Sequence, residues 1–520
     1  MNLLIEEWIP VRPLPTGAMK KVSLKQLLCG NEAWELCLPR DDMELAAVQL
    51  LICMTQVLLT PKSIDELKRR IAKPLTETDY DAAIKPFHDW FQLDHPTQPF
   101  MQVRGLAAKD VTPLDKLMAG LTGATNCCFV NEPDLATGLC PGCSAIVLFN
   151  QATCTPGFGG GFKDPLRGGT PITTLIQGPH LRQMVWLNVL CESEVARLIP
   201  WDNATKQQKP TWIDPIKDGD IPAQSIGLKR GLFWQPAYVE LLSPVKAGSA
   251  CSSCGLDTEY IFTGFKKAKF SSYKVDGTWP HPHSAKVLER KRNGSIEQWF
   301  TSFTSSAPAW TQLNRFVEQL EPQGPVKGHE FAAVVHQVKN LYGQQAQKLH
   351  LAIGGYRRSK ASIVDRCHEV FTLNQGWSQH SDVIRGIVSL GLGYKAALTG
   401  ALYLFSNGMK DQKTNAVVAK GLGEKMQLQK MGEVQFYRAT ESVMQNILSC
   451  IDFEEPAPAF DEMRRDMESI CKDIFGESVR PYLSDPELVR TMAIARRTLG
   501  KKLSALKPQQ GGTNATTKAP

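Results

Sequence analysis

The chain changes character after about Trp377, and this change most constrains what it can fold into. Four long stretches follow in which apolar residues recur with helical spacing. Four amphipathic helices joined by loops are typical of an antiparallel bundle. The four predicted helices are Ser381–Phe405, Val434–Cys450, Phe460–Phe475 and Pro486–Leu506. The sequence therefore predicts an all-α four-helix bundle in this part of the chain.

The last of these four patterns is the clearest. Asp485 is expected to cap the helix, and Pro486 suits its first turn. The apolar residues lie within a stripe of about 80°, at about 100° per residue. They are Leu488, Met492, Ala495, Leu499, Leu503 and Leu506. Arg490, Arg497 and Lys501 lie on the opposite face, which is therefore expected to be exposed and basic.

Before Trp377 the pattern is mixed, and short apolar runs are separated by many prolines and glycines. Runs such as Ala145–Phe149 and Val185–Leu190 indicate strands or buried segments. Ser63–Ile71 indicates a helix, with Ser63 and Glu66 at capping-box spacing. The absence of a regular strand–helix alternation argues against a doubly wound sheet or a barrel. The predicted order is a mixed α+β domain (1–376), the helix bundle (377–508) and a disordered, Gly/Thr-rich tail (509–520).

Composition and the N-terminus indicate a cytoplasmic protein. The 520 residues are 42% hydrophobic, and the net charge of +7 permits nucleic-acid binding without requiring it. The start, MNLLIEEWIP, lacks the basic region of a signal peptide. The apolar run from Glu44 to Pro61 is short for a bilayer span, so a buried core helix beginning near Asp41 is expected. The 14 cysteines are expected to be reduced thiols or metal ligands.

Two CxxC motifs, Cys140–Cys143 and Cys251–Cys254, each resemble a zinc knuckle, in which a tight turn directs two thiolates at one ion. Together they supply the four sulfur ligands of a closed structural zinc site. The pairs lie about 110 residues apart, beyond the spacing of compact zinc ribbons. Two unrelated turns or a redox motif are the alternatives.

The run PGFGGGFKDPLRGGT, Pro156–Thr170, contains three consecutive glycines. Glycine lets a backbone adopt positive φ and approach a ligand closely, while Lys163 and Arg167 add positive charge. The run matches neither a P-loop nor a dinucleotide fingerprint. The run is compatible with close contact to a nucleic-acid groove or phosphate. It is equally compatible with a flexible surface loop.

Two further segments are basic. In TGFKKAKFSSYK, Thr263–Lys274, lysines alternate with aromatic residues, which suits phosphate contact and base stacking but also a solvated edge strand. In GGYRRSK, Gly354–Lys360, two glycines precede three basic residues and indicate a turn with a cationic tip. Many such turns are only solvated.

The sequence offers little support for an enzyme. His281 and His283 in WPHPHS have no carboxylate cluster beside them and are expected to be core or surface residues. Hydrolase, metalloprotease, Walker, kinase and zinc-deaminase motifs are absent. A binding protein is therefore favoured.

Several long stretches resemble one family, the type I-E Cascade large subunit, CasA, from the first residues to about Pro508. They are Leu38–Ala47, Leu121–Pro133, Phe149–Thr174, Ile226–Leu241, Trp279–Ser284 and Thr372–Trp377. The resemblance implies an irregular α/β domain with a structural zinc site formed by the two CxxC pairs, followed by a four-helix bundle. It also implies a non-catalytic subunit of a CRISPR RNA-guided surveillance complex.

The resemblance also implies roles for individual residues. Phe129, Val130 and Asn131 match a segment that contacts the 5′ handle of the guide RNA near the flanking motif (PAM). Gly159, Gly160 and Gly161 match a glycine loop that lies against the minor groove of the PAM, and Lys269 matches a lysine that reaches the same groove. Arg358, Ser359 and Lys360 match a wedge hairpin that separates the first base pairs. Another family member carries glutamine where this chain has Lys360, and lysine would add a phosphate contact.

The implied partners are the other Cascade subunits, the guide RNA, double-stranded target DNA and a separate helicase-nuclease. Arg490, Arg497 and Lys501 would contact DNA non-specifically. The alternatives are a subunit that only joins other subunits and a zinc-dependent nucleic-acid enzyme, which would need an open metal site.

Overall fold

The computed structural model describes residues 1–108, 110–121, 135–270, 272–304, 307–342, 347–359, 362–411, 416–423 and 426–508. The chain divides into two compact units. The first comprises Met1–Ser305, Arg315–Gln345 and His350–Val370, and the second comprises Ser306–Asn314, Ala346–Leu349 and Phe371–Pro520. The mixed α/β architecture with a helical C-terminal region agrees with the predicted fold class.

The helices of the described residues are mostly short in the first unit, apart from the 19-residue α2, and long in the second. They are α1 (Leu24–Cys29), α2 (Asp41–Leu59), α3 (Ile64–Ala72), α4 (Glu77–Ile84), α5 (Pro141–Thr153), α6 (Leu181–Leu187), α7 (Glu192–Leu198), α8 (Asp202–Thr205), α9 (Leu228–Leu232), α10 (Asn314–Val317), α11 (Ala333–Tyr342), α12 (Ser381–Asn407), α13 (Leu428–Cys450), α14 (Ala457–Val479) and α15 (Val489–Ala505).

The strands of the described residues are mostly short. They are β1 (Ile9–Pro13), β2 (Lys20–Val22), β3 (Trp34–Leu36), β4 (Thr112–Pro113), β5 (Thr173–Ile176), β6 (Gly219–Pro222), β7 (Ala237–Leu241), β8 (Val245–Lys246), β9 (Tyr260–Ile261), β10 (Gly264–Lys269), β11 (Tyr273–Asp276), β12 (Lys286–Arg290), β13 (Ile296–Phe300), β14 (Gly328–Glu330), β15 (Leu349–Ser359), β16 (Ser362–Leu373), β17 (Met409–Lys410) and β18 (Val417–Ala419).

Helix α2 lies in the core of the first unit, as predicted. Its apolar residues surround the whole helix, and nearly every side chain from Asp42 to Leu58 is buried. Asp41, Asp42 and Glu44 lie in the first turn, where carboxylates interact favourably with the helix dipole. Helices α5 and α6 pack against α2, so this one helix organises the centre of the unit.

Among the described residues, α2 and α12 are long and apolar enough to cross a membrane by length and composition alone. The apolar window of α2 is 89% buried inside the protein, and that of α12 is 44% buried. Buried core helices pass the same test, so these two helices are weak evidence for a membrane span.

Two apolar runs expected to be strands or buried segments are helical. Ala145–Phe149 lies inside α5, and most of Val185–Leu190 lies in or just after α6. Both runs are buried, so the burial expectation is confirmed and a strand assignment is wrong. A short buried helix and a buried strand have the same apolar pattern, so periodicity does not separate them.

Helix α3 begins after Ser63, as predicted. The Ser63 hydroxyl accepts a hydrogen bond from the backbone N–H of Glu66, which caps the helix. The Glu66 carboxylate turns instead to the backbone N–H of Lys62, at 2.9 Å. The capping box is therefore only half formed.

Small sheets of two or three strands connect these helices, and two sheets position the candidate site. One has the strand order β4-β10-β7, and the other has the order β16-β15-β5. Strand β10 is central in its sheet, with Phe265 opposite Leu241 and Lys269 opposite Ala237 on β7. Strand β4 reaches only Gly264 and Phe265, so the lysine-bearing part of β10, from Lys266 to Lys269, pairs with β7 alone and is an edge, as the edge-strand alternative expected.

The second unit contains the four long helices α12, α13, α14 and α15. Helix α12 packs against the other three, and α13 also packs against α14. A Cβ atom on Gly432 of α13 would lie 2.2 Å from the side chain of Leu402 on α12. The glycine therefore allows these two helices to approach closely.

The predicted helix positions are confirmed, with different ends. The start of α15 was predicted wrongly, because Asp485 and Pro486 precede the helix, which begins at Val489. The Asp485 carboxylate accepts a hydrogen bond from the N–H of Glu487 at 2.9 Å, so it stabilises a turn before the helix.

Candidate nucleic-acid interface and metal site

Residues 157–164 form an exposed segment, here called the glycine loop. Gly159, Gly160 and Gly161 have φ angles of 81°, 53° and 88°. These left-handed conformations are strained for any residue with a Cβ atom. The three glycines are therefore required by the backbone path, and the exposed Gly160 and Gly161 present backbone without a side chain to solvent.

Lys269 lies at the end of β10, beside this loop. Its Nζ atom would be 3.2 Å from a Cβ atom on Gly161, and it lies 5.9 Å from the centroid of the Phe162 ring. The lysine is exposed, as are Gly160 and Gly161. Two features that lie far apart in the sequence thus form one exposed surface with a cation beside bare backbone.

Aromatic side chains attach the glycine loop to strand β10. The Phe158 ring lies 5.7 Å from the ring of the buried Phe265 and 5.4 Å from that of Phe162. Lys267 Nζ lies 5.6 Å from the Phe158 centroid, and Lys163 Nζ lies 5.6 Å from that of Tyr273. The alternation of lysines and aromatic residues therefore contributes to packing within the protein.

Asp164 closes the glycine loop and connects it to strand β15. One carboxylate oxygen accepts a hydrogen bond from the N–H of Gly157 at 2.9 Å. The other accepts from Nη1 of Arg358 at 3.0 Å. Arg358, expected to face DNA, is exposed but already paired with this carboxylate. Both side chains are more than a third exposed, so the pair contributes little to stability.

The segment GGYRRSK was expected to form a turn, but its described residues form part of a strand. Gly354 to Ser359 belong to strand β15, whose hydrogen-bonded neighbour β16 follows in the chain. The glycines serve close packing, because a Cβ atom on Gly354 would lie 2.5 Å from the Leu45 side chain. Lys360 and the side chain of Ser359 lie outside the described residues.

Arg167 was expected to add positive charge to the loop surface, and this is wrong. It is 3% exposed, so its side chain lies in the core. Its guanidinium donates hydrogen bonds to the carbonyl oxygen of Thr153 and to side chains of Gln49, Cys154, Thr173 and Ser284, at 2.9–3.2 Å. Burial lowers its pKa. Arg167 therefore anchors the segment that follows the glycine loop.

Cys140, Cys143, Cys251 and Cys254 come together as one buried group. Their ligand atoms all lie within 4.8 Å of one another, and Sγ of Cys140 lies 4.0 Å from Sγ of Cys254. Four sulfurs at about 2.3 Å from a tetrahedral zinc ion are about 3.8 Å apart, so the group fits this metal. Among the described residues it is the one such group of metal-ligand side chains.

Local structure explains both CxxC turns. Cys140 and Cys143 flank the first turn of α5, and a Cβ atom on Gly142 would lie 2.4 Å from the carbonyl oxygen of Trp8. The second turn is closed by the N–H of Gly255, which donates to the carbonyl of Cys251 at 2.9 Å. The N–H of Cys140 donates to Sγ of Cys251 at 3.2 Å, which links the two turns.

His281 and His283 are buried core residues, which confirms that expectation. Nδ1 of His283 lies 3.2 Å from the amide nitrogen of Gln49, and Nε2 lies 3.3 Å from the carbonyl oxygen of Asn188. Burial lowers the pKa of His283 to about 3. Neutral His283 satisfies both contacts, accepting through Nδ1 and donating through Nε2.

Of the remaining predicted residues, three lie on α15 and three lie outside the described residues. Arg490, Arg497 and Lys501 are exposed on α15, on the side opposite the buried Ala495 and Leu499. Phe129, Val130 and Asn131 lie outside the described residues, as does the predicted tail.

Asp42, Asp164 and Arg366 were not predicted from the sequence as residues of the site. Asp42 and Arg366 are 324 residues apart yet lie within 3.2 Å of each other, and no local motif marks such a pair. Asp164 lies inside the glycine-rich run. Its spacing of seven residues from Gly157 does not by itself predict a loop-closing hydrogen bond. Its other partner, Arg358, lies on strand β15 and is far away in the sequence.

Comparison with known proteins gives matches to one family model and to several relatives. The profile of the family described as CRISPR-associated protein Cse1 matches residues 2–474. The CasA/Cse1 protein of Thermus thermophilus is 23% identical over 399 residues, which cover 72% of this chain and 71% of that protein. The crystal structure of Cse1 from Acidimicrobium ferrooxidans has a TM-score of 0.71 at 16% identity and covers 97% of this chain and 98% of that one.

A structure described as a CRISPR RNA-guided surveillance complex, pre-nicking, contains a chain with a TM-score of 0.59 at 14% identity. The match covers 98% of this chain and 99% of that one. At these identities the structural matches show a shared fold. The family match extends over most of the sequence, and this protein therefore belongs to the Cse1 family of CRISPR-associated proteins.

Proposed function

We propose that this protein is the large subunit of a type I-E CRISPR surveillance complex, Cascade, and that it binds nucleic acids without catalysing a reaction. Membership of the Cse1 family and the structural similarity to a chain of a surveillance complex support the assembly. The observation that carries the DNA-binding role is the position of the exposed Lys269 beside the glycine loop.

In this proposal the glycine loop and Lys269 recognise the PAM of double-stranded DNA through the minor groove. A loop without side chains at Gly159, Gly160 and Gly161 can enter a narrow groove, and one ammonium can donate to base or phosphate acceptors there. The minor groove distinguishes mainly A·T from G·C pairs. Such a reader is expected to accept several related motifs, while the target sequence is read by pairing with the guide RNA.

The β15–β16 hairpin is proposed to separate the first base pairs beside the PAM. Arg358, Ser359 and Lys360 lie at the end of β15 and in the segment that follows it. Arg358 is held beside the glycine loop by Asp164 at 3.0 Å, which supports joint action of hairpin and loop. Opening the duplex costs a few kcal/mol per base step, and formation of the RNA–DNA heteroduplex offsets this.

Further parts of the proposal concern the rest of the chain. Phe129, Val130 and Asn131 are assigned to the 5′ handle of the guide RNA. The four long helices are assigned to a four-helix bundle, whose α15 contacts DNA non-specifically through Arg490, Arg497 and Lys501. The assembled subunit is also proposed to recruit the helicase-nuclease and to act in the cytoplasm.

The four cysteines are proposed to hold a structural zinc ion. When bound, zinc would cross-link the turn before α5 to the turn at residues 251–254. With four sulfur ligands the site would be closed, leaving no open position for a water molecule. This chemistry disfavours the zinc-dependent enzyme, which needs such a position.

The test is a gel-shift titration of guide-loaded complex reconstituted with and without this protein. The DNA duplex carries the target with either a permissive or a scrambled PAM. Tight binding that depends on both the PAM and this protein is expected. Binding that is unchanged when the protein is omitted would contradict the proposal, whereas PAM-independent stimulation would favour a subunit that only joins others.

A further inference from the structure

Asp42, in the first turn of α2, contacts both strands of the β15–β16 hairpin. Its carboxylate accepts a hydrogen bond from the hydroxyl of Tyr356 on β15 at 2.8 Å. It also accepts from Nη1 of Arg366 on β16 at 3.2 Å. The side chains of Asp42 and Tyr356 are buried, so their contact lies away from solvent, whereas Arg366 reaches Asp42 from the surface.

The surroundings keep Asp42 charged and oriented. Arg40 donates to both carboxylate oxygens, at 3.0 and 2.6 Å, and also to the carbonyl oxygen of Ala119. Burial alone raises the pKa of Asp42, but the hydrogen bonds and charges of Arg40, Tyr356 and Arg366 outweigh it and lower the pKa. A charged, fully hydrogen-bonded carboxylate of this kind has one strongly preferred geometry.

Tyr356 connects the same point to helix α5. The side-chain amide of Asn150 donates to the Tyr356 hydroxyl at 2.8 Å, and the buried tyrosine packs with Ala119 and Cys154. Ile363 on β16 packs against this cluster. Polar and apolar contacts therefore join both strands to the body of the first unit.

We propose that Asp42 is the positioning residue of the hairpin, orienting it through Tyr356 and Arg366 so that its end can separate the target duplex. Asp42 acts through the hairpin and does not itself touch DNA. This inference rests on the proposed function, because it assumes that the hairpin opens DNA. It assigns the orientation of the hairpin to a buried carboxylate on α2, which lies 324 residues before Arg366 in the sequence.

The experiment measures duplex opening by the reconstituted complex. The target carries 2-aminopurine at the first positions beside the PAM, so that unpairing raises its fluorescence. Arg366→Gln removes the ion pairs of Arg366 with Asp42 and with the neighbouring Asp41, and because Arg366 is 41% exposed this variant is expected to fold. Asp42→Asn removes the negative charge of the partner carboxylate on α2. Both variants are expected to slow opening about tenfold, equivalent to about 1.4 kcal/mol in the barrier.

A second target, already unpaired over the same positions, separates positioning from general binding. Both variants should open or load this bubble target at the rate of the unmodified protein. Slow loading of the bubble as well, or an unchanged rate on the duplex, would overturn the inference. A wild-type complex that shows no PAM-dependent opening would instead contradict the proposed function.

Asp365→Asn is the matched control. Asp365 is adjacent to Arg366 and pairs with Arg357 at 3.3 Å, so its ion pair lies within the hairpin. Asp365→Asn removes one carboxylate charge, as Asp42→Asn does, but it leaves the contacts between the hairpin and α2 in place. The rate of duplex opening is therefore expected to be normal. If Asp365→Asn slows opening as much as Arg366→Gln, the effect belongs to the hairpin itself and the role of Asp42 is rejected.

Discussion

Arg358 on strand β15 donates a hydrogen bond from Nη1 to Oδ2 of Asp164 in the glycine loop, at 3.0 Å. The other oxygen of Asp164 accepts from the N–H of Gly157 at the beginning of that loop. One carboxylate therefore connects the loop proposed to read the PAM with the hairpin proposed to open the duplex.

Asp164→Asn should weaken PAM discrimination more than stability. The amide still accepts from Gly157 but loses its charge, so the hold on Arg358 weakens. Because the pair is exposed, the free energy of unfolding should change by less than about 1 kcal/mol. The ratio of affinities for permissive and scrambled PAM, measured by gel shift, is expected to fall several-fold.

The control for this variant is Asp276→Asn, which makes the same change in net charge at an exposed residue on β11. It should alter both affinities equally through general electrostatics and leave their ratio unchanged. If Asp164→Asn leaves the ratio of the two affinities unchanged, Asp164 does not couple the glycine loop to the hairpin in PAM recognition.

Gly160→Ala should lower PAM-dependent binding about tenfold or more. A Cβ atom at Gly160, whose φ is +53°, meets no atom within 4 Å, so the protein itself leaves room for it. The added methyl group would instead project from the loop towards the DNA. Backbone strain is expected to cost about 1–2 kcal/mol of stability.

Gly168→Ala is the matched variant, because Gly168 has φ of +81° and equally open space. Its strain should be similar while DNA binding stays normal. Equal losses of binding in both variants would attribute the effect to strain. Thermal unfolding and gel shift of the two proteins provide the comparison.

Metal analysis should find about one zinc ion for each chain. Removing zinc with a strong chelator, or replacing Cys254 by Ser, should lower the free energy of unfolding by at least about 3 kcal/mol, because two distant turns lose their cross-link. Cys450→Ser changes an exposed cysteine outside the group and should retain metal and stability. A chain that melts at the same temperature with and without chelator would contradict a structural metal.

Acid should destabilise the first unit through its buried histidines. Burial lowers the pKa of His283 to about 3, whereas an unfolded histidine has a pKa of about 6.5. The unfolded state therefore binds more protons between these values. The stability contribution is full above about pH 6.5 and is lost as the pH falls towards 3, by up to about 1.4 kcal/mol per pH unit.

His283→Gln should reduce the slope of unfolding free energy against pH between about pH 6.5 and 4.5, whatever its effect on stability at neutral pH. His88→Gln, at an exposed histidine, should keep the full slope. Denaturant titrations at several pH values give these slopes. Identical slopes in all three proteins would show that His283 does not titrate differently on folding.

Features encoded in short stretches were predictable. The 3.6-residue periodicity after Trp377 identified the four long helices, and the Ser63 cap identified the start of α3. The metal ligands were also predictable, because two CxxC turns offer four thiolates whatever the distance between them in the sequence. Helix ends were less predictable, because Asp485 can cap either a helix or a turn.

The sequence by itself determined local structure and the available ligands, because periodicity, capping and conformational freedom act over a few residues. It drew attention to the three glycines and, through the family resemblance, to Lys269. It wrongly predicted a turn at Gly354–Ser359 and a surface position for Arg167. Only the tertiary structure decided which of these residues meet. Arg358 pairs with Asp164 across 194 residues, and Arg366 pairs with Asp42 across 324, through packing of distant segments that no local pattern encodes.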